Sequence, residues 1–292
     1  MYLGFDIGGT KIDAGLVKKN KIIKRKIVLT PKNKKDFLKA VFGIIYEFKK
    51  EYKKSIKGVG IAMAGVIDRQ KGRIIKSPNL PKLNGLNLKK AIEKKFKIPA
   101  RIDNDAKCFL RAEAKFGAAR KAKNVVALVL GTGIGAGIMI GGKIYYSRDG
   151  AAGEIGHTII NSKFEIQNSK IIMKNLLSLE DLVSKRGFFK FGVKDAKKLE
   201  DLAKKGDKKA LEIHKIIGTY LGIGLANIIN IINPDLIVLG GGLSRAGDLL
   251  IKPARYVIKK LVLCPSAKNT PIRVSKLGKE AGILGAALTF LK

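Results

Sequence analysis

Asp6-Ile7-Gly8-Gly9-Thr10-Lys11 sets a carboxylate, two residues without side chains, a hydroxyl and an ammonium within six positions. A metal-bound polyphosphate needs those groups: turn N–H donors for phosphate oxygens, and Asp6 to hold magnesium directly or through water. The spacing is not that of a P-loop, since GxxxxGK[ST] fails here. Gly131-Thr132-Gly133-Ile134-Gly135-Ala136 nominally matches the dinucleotide fingerprint. That fingerprint requires a following helix, whereas Ile138 to Lys143 reads as a β-hairpin, so a second phosphate hairpin is the expectation. Asp105 follows Asn104 where a short strand gives way to a helix. A carboxylate there can accept the proton of a sugar hydroxyl as its oxygen attacks phosphorus. It can also simply cap the helix, and Asp103 could fill that role equally well. Gly153-Glu154-Ile155-Gly156-His157 adds an acceptor and a ring that both donates and accepts, which suits vicinal sugar hydroxyls. No second His or Cys stands at usable spacing to make His157 a zinc ligand. His214, within a charge-flanked helix over 211–217, reads as structural.

The elements that must hold these groups follow from periodicity. Strands are expected at 3–7, 12–17 and 21–30 as a meander, then an amphipathic helix over 35–54 with Phe37, Leu38, Val41, Ile44, Ile45 and Phe48 on one face. A buried strand of small residues follows at 58–65, a helix at 86–96, a short strand at 100–102 and a helix at 106–116. The second half repeats the theme: a strand at 125–130 ends in glycines and continues as a strand at 136–140, as 3–7 does into 12–17. After a long helix, a strand at 236–239 ends in Gly240-Gly241-Gly242. Two like halves, each with a glycine hairpin at the same place, imply a cleft between them. Residues 162–174 carry little periodicity and read as an irregular loop, and 194–209 as a charge-dense solvated helix face.

At 292 residues and 46% apolar side chains the chain is globular, with room for two domains. Its outlying property is charge: 59 Lys plus Arg against 23 Asp plus Glu gives +36. Nucleic acid or an anionic membrane would ordinarily be considered as a partner. However, 48 of the basic residues are Lys and 11 are Arg, and Lys is the poorer at bidentate recognition of phosphate or bases. The lysines recur on polar helix faces as solvated surface. Cys108 and Cys264 form neither a zinc motif nor a disulfide framework, which fits a reducing, cytoplasmic home, and the N-terminus does not read as a signal peptide. Residues 216–233 run without a charge for the length of a minimal membrane span, but three glycines and three asparagines favour a buried helix.

Taken in order, these motifs resemble the ROK family of sugar kinases and repressors. The resemblance runs over essentially the whole chain: the Asp6 to Lys11 segment, Ala62 to Asp68, Ser77-Pro78-Asn79-Leu80, Asn104-Asp105-Ala106, Gly131 to Gly137, Gly150 to His157, and Asn233-Pro234-Asp235 through Gly242. It implies an α/β fold of the actin-like, ribonuclease H-like ATPase type, with two similar α/β domains flanking a cleft. The smaller domain would take residues 1–115 plus 278–292, the larger 116–277. It further implies ATP-dependent phosphorylation of a hexose on its 6-hydroxyl, glucose first among them, with ATP and Mg²⁺ as cofactors and Asp105 as general base. Gly65 (through its backbone), Asn79, Asn104, Asp105, Glu154, His157 and Glu180 would bind the sugar. Asp6, Gly8, Gly9, Thr10, Lys11, Thr132 and Gly133 would hold phosphates, Gly240, Gly241 and Gly242 would lie near adenosine, and Asp6 would hold the metal through water. A homodimer is expected from the family, without specific nucleic acid or membrane partners.

Two departures stand out. The family's structural zinc motif has three cysteines between the positions of His157 and Glu180, and this chain has none there, which argues against zinc. Ala64 replaces a frequent proline, and Ser147 stands where glycine is usual. The family's repressors carry a helix-turn-helix domain before the first phosphate motif, and with five residues ahead of Asp6 that module is expected to be absent. The alternatives are a kinase for fructose, mannose, allose or an N-acetylhexosamine, and a sugar-sensing or nucleic-acid-binding protein without the chemistry.

Overall fold

Alternating apolar residues in the first thirty positions fold into a meander: β1 (Tyr2–Ile7), β2 (Lys11–Lys18) and β3 (Lys21–Leu29), antiparallel, with Asp6 opposite Asp13. The computed structural model describes residues 1–52, 55–167 and 170–290. Helix α1 (Lys34–Tyr52) buries Phe37, Val41, Ile44, Ile45 and Phe48. Lys53 and Lys54, expected to extend it, lie outside the described residues. Then β4 (Val59–Met63) pairs parallel with β1, β5 (Val66–Asp68) and β6 (Arg73–Lys76) form a small hairpin, and α2 (Leu88–Phe96) leads to β7 (Ala100–Asn104), parallel to β4. Helix α3 (Asp105–Phe116) leaves the end of β7. The sheet order is β3-β2-β1-β4-β7.

The second half builds the same plan. Strand β8 (Val125–Leu130) is followed by β9 (Ile134–Ile140) and β10 (Lys143–Ile144), an antiparallel hairpin where a dinucleotide site would need a helix. A two-stranded sheet of β11 (Ile159–Gln167) and β12 (Lys170–Ser178) comes next. Four helices follow: α4 (Leu179–Val183), α5 (Lys185–Lys190), α6 (Ala196–Lys204) and α7 (Lys208–Ile232). The chain closes with β13 (Leu236–Gly240), α8 (Asp248–Leu261), β14 (Ile272–Val274) and α9 (Glu280–Ala287). The order β10-β9-β8-β13-β14 restates the first sheet strand for strand, with β13 parallel to both β8 and β14. This duplicated α/β plan is the one implied by the sequence.

Two expectations are corrected. Residues 162–167 and 170–174 are not an irregular loop but belong to the paired strands β11 and β12, because Lys163-Phe164-Glu165-Ile166 alternates polar and apolar with the period of a strand; residues 168 and 169 lie outside the described residues. The charge-dense run over 194–209 is not one helix face. It breaks at Gly206, whose φ is +89°, into α6 and α7, N-capped by Asp195 and Asp207. The uncharged stretch 216–233 forms most of α7. By length and composition α7 could cross a membrane, but Gly218 and Gly222 lie against α8 and Gly224 against Leu179. Asn230 bonds both Leu261 O and Leu263 N, so its amide is satisfied by protein.

The chain divides into two compact units: Met1–Lys121, Gly137–Ala152 and Lys276–Lys292 in unit 1, Ala122–Ala136 and Gly153–Ser275 in unit 2. The first unit therefore includes β10 and residues 137–140 of β9 as well as the two termini.

Candidate functional site

In unit 1 the first glycine turn is braced from β3. The Gly8 N–H donates to Lys11 O, the Thr30 hydroxyl donates to Gly8 O at 2.8 Å, and Thr30 N–H donates to Thr10 O. Lys32 Nζ bonds the Gly9 carbonyl, which sets a cation beside the turn. Neither Thr30 nor Lys32 was flagged by sequence, since nothing marks one lysine among so many. Gly9 also lies directly on Asn79, where a Cβ would come 2.8 Å from the Asn79 Cβ. Lys11, expected on phosphate, has its ammonium 3.0 Å from Asp13. Asp13 is also held by Arg25 of β3 through Nε at 2.7 Å and Nη2 at 2.6 Å. Burial pushes the Asp13 carboxyl up, but the Arg25 and Lys11 bonds win and hold it below the usual range.

Asp6, at the end of β1, has the opposite balance. Burial, then the Asp105 and Asp13 carboxylates, push it up to about 7 against the pull of Lys11 and Arg25. Helix α9 comes so close that a Cβ at Gly282 would lie 2.4 Å from Asp6 Oδ2. A desolvated carboxylate beside like charge is a site that a hard cation would relieve. A single carboxylate suits Mg²⁺, which draws most of its ligands from water and phosphate. Among the described residues no three His, Cys, Asp or Glu gather as a protein-only metal cage.

The junction of β7 and α3 settles the capping question. Asn104 is the N-cap: its Oδ1 accepts the Lys107 N–H at 3.1 Å, and its Nδ2 donates to Gly65 O at 3.0 Å. Gly65 can present that carbonyl because its φ is +121°, and a Cβ there would strike Lys76 O at 2.2 Å. Asp103 is buried and taken up by Arg111 Nη2 and the Tyr146 hydroxyl, both at 2.6 Å. Burial, more than the Asp103 charge, pushes the Tyr146 hydroxyl up, so it stays a donor. Asp105 thus occupies the first turn of α3 without being its cap, with Oδ1 accepting the Ala106 N–H at 2.9 Å. Lys107 reaches Gly150 O at 2.8 Å. The usual glycine at Ser147 is explained by the backbone: Ser147 has φ of +57°.

In unit 2 the second glycine turn closes with Gly131 N–H donating to Gly133 O at 2.9 Å, leaving Thr132 exposed. Glu180, expected on sugar, lies in the first turn of α4 against this turn. Its Oε2 accepts the Ile134 N–H at 2.8 Å, and a Cβ at Gly133 would meet it at 2.4 Å. A Ser178–Asp181 capping box fixes the start of that helix. Glu154 and His157 sit around a 3₁₀ turn with Oε2 and Nε2 3.9 Å apart, both side chains open to solvent. Gly156 packs on Ile134 O and Leu179 N–H bonds Thr158 O, so residues 131–134, 154–158 and 179–180 form one cluster. Gly240 ends β13, and Gly241, with φ of +83°, packs on Leu130 O. Beyond Gly242 a cleft of about 400 Å³ is lined by Phe188, Ala196, Leu243, Ala246, His214 and the cations Lys185, Lys194, Lys197 and Arg245.

A model of the ROK family matches residues 2–292. A glucokinase of Thermotoga maritima is 32% identical, covering 98% of this chain and 95% of its own. A xylose repressor of Caldicellulosiruptor bescii is 31% identical over 87% of this chain and 68% of its own length. An N-acetyl-D-glucosamine kinase of Pectobacterium atrosepticum is 31% identical over 100% and 99%. The crystal structure of a ROK family glucokinase from Streptomyces griseus with glucose and AMPPNP superposes with a TM-score of 0.80 at 26% identity, covering 98% of this chain and 97% of that one.

Proposed function

The chain belongs to the ROK family, and we propose that it is an ATP-dependent kinase of a hexose 6-hydroxyl, with glucose as the sugar, acting in the cytoplasm. The observation that carries this reading is Asp105. Asn104 rather than Asp105 is the cap of α3, and the Asp105 carboxylate shares its field with Asp6. In the reaction, Asp105 takes the proton from the sugar hydroxyl as that oxygen bonds to the γ-phosphorus and ADP departs with the electrons of the broken P–O bond. As membership of the family implies, Gly65 through its backbone, Asn79, Asn104, Glu154 and His157 are the residues assigned to the sugar hydroxyls. The turns at Gly8-Gly9-Thr10 and Thr132-Gly133 offer N–H donors to phosphate oxygens, and Lys32 adds a cation at the first of them. Asp6 would hold Mg²⁺, whose charge neutralises the transferring phosphoryl group. Glu180 braces the second glycine turn by accepting the Ile134 N–H through Oε2, and it is kept among the residues assigned to the sugar.

Replacing Asp105 by Asn tests the assignment. Sugar-dependent ADP release should fall about 10²–10⁴-fold with sugar binding retained; near-normal turnover would sink it. The N-acetyl-D-glucosamine kinase relative, as similar as the repressor and longer in overlap, supports a second reading in which the sugar is an N-acetylhexosamine. A panel of glucose, mannose, fructose, allose and N-acetylhexosamines in the same assay separates the two.

A further inference from the structure

His214 is 1% exposed, yet it lines the 400 Å³ cleft of unit 2. Its Nδ1 lies 2.8 Å from the Ala210 carbonyl oxygen one turn earlier in α7. A carbonyl only accepts, so the hydrogen belongs on Nδ1, and the neutral ring keeps a lone pair at Nε2. Nε2 has no hydrogen-bond partner among the described residues. Phe188, which lines the same cleft, meets the imidazole edge to face with ring centres 5.9 Å apart and fixes its plane. The result is a largely buried ring whose orientation is set by the protein and whose Nε2 lone pair is available to a ligand in the cleft.

The other polar groups of the cleft are of a different kind. Asp195 already accepts the Lys197 and Lys198 N–H groups as the cap of α6, and Glu200 is ion-paired with Lys204. The cations there are donors, suited to the anionic end of a nucleotide. A ligand that fits has a flat apolar body for Phe188 and Leu243, negative charge, and one N–H donor for His214. On the reading that this is an ATP-dependent kinase, we propose that His214 determines which base is used, its Nε2 accepting a hydrogen bond from the 6-amino group of adenine. A base with a keto oxygen at that position brings acceptor against acceptor and is rejected.

Titration of the sugar-free protein with ATP and with ITP, which carries a keto oxygen in place of the amine, tests this by binding alone. ATP should bind at least about tenfold more tightly than ITP. In His214→Phe, which keeps a ring against Phe188 but removes the acceptor, the two should agree within about threefold, chiefly because ATP weakens. His214→Gln, whose amide can turn to offer either group, should narrow the ratio too and serves if the Phe variant does not fold. Equal affinities in the parent, or an unchanged ratio in the folded variants, overturns the proposal. Phosphoryl transfer is assayed separately: a parent that discriminates between the bases but phosphorylates no sugar overturns the kinase reading and leaves this one standing. Absence of saturable nucleotide binding overturns both.

Discussion

At the scale of single residues, the carboxylate ahead of the first glycine turn is held in an unfavourable state. Asp6 is pushed up to about 7, first by burial and then by Asp105 and Asp13. Because an unfolded Asp titrates near 3.9, the folded chain keeps a proton on Asp6 between about pH 4 and 7 that the unfolded chain has released. Stability from this group is therefore present below about pH 4 and lost as pH rises through 7. In metal-free and nucleotide-free buffer, Asp6→Asn should melt above the parent at pH 8, with the gap closing toward pH 5. A gap that stays constant with pH would show that Asp6 is not the strained group. If Asp6 holds magnesium as proposed, the variant should also lose sugar-dependent ADP release, since an amide neither carries the charge nor binds the cation as a carboxylate would. Comparing variant with parent matters because Asp13 titrates with the opposite sign: its carboxyl is lowered, so its contribution is present above the ordinary Asp range and fades as pH falls.

Secondary-structure elements show where the sequence could be read and where it could not. Glycine turns that lead into strands rather than helices marked β2 and β9, because local period and turn chemistry agree there. The β11–β12 hairpin was missed since its alternating stretch is only a few residues long, and the α6–α7 break was hidden inside a uniformly charged run. Partner choice was illegible: nothing local tells Arg25 to take Asp13, Tyr146 to take Asp103, or Asn104 rather than either neighbouring carboxylate to cap α3. The glycines of the helices were likewise ambiguous. Gly222 of α7 faces α8, and a Cβ there would lie 2.7 Å from Val257 Cβ and 2.8 Å from both Ala254 Cα and Ala254 O. Gly43 of α1 would meet nothing within 4 Å. Gly43→Ala should thus stabilise by about 0.5–1 kcal/mol, the helix preference alone. In Gly222→Ala the same gain is outweighed by overpacking of about 1–3 kcal/mol, because backbone on α8 has to move. Denaturation midpoints shifting the same way in both variants would refute the packing of α7 on α8.

For the whole molecule the outlying quantity remains the formal charge of +36. With 23 carboxylates against 59 cations, most lysines have no acid to pair with, however the surface is arranged. The pairs that do form, such as Lys24 with Glu51 and Lys26 with Glu47, join exposed groups of the first sheet and α1, where each contributes little. Self-repulsion is therefore the dominant surface electrostatic effect, and it opposes the compact state. Salt decides between the two contributions, because it weakens attraction within pairs and repulsion across the surface alike. Between about 10 mM and 150 mM the screening length shrinks from about 30 Å to about 8 Å, short enough to cut repulsion between distant lysines while leaving contact pairs less affected. The melting temperature should accordingly rise with sodium chloride over that range. Association with ATP should slow over the same range, because the positive field that draws polyphosphate is screened as well. A melting temperature that falls with salt would mean that local ion pairs, rather than net charge, govern the stability of this surface.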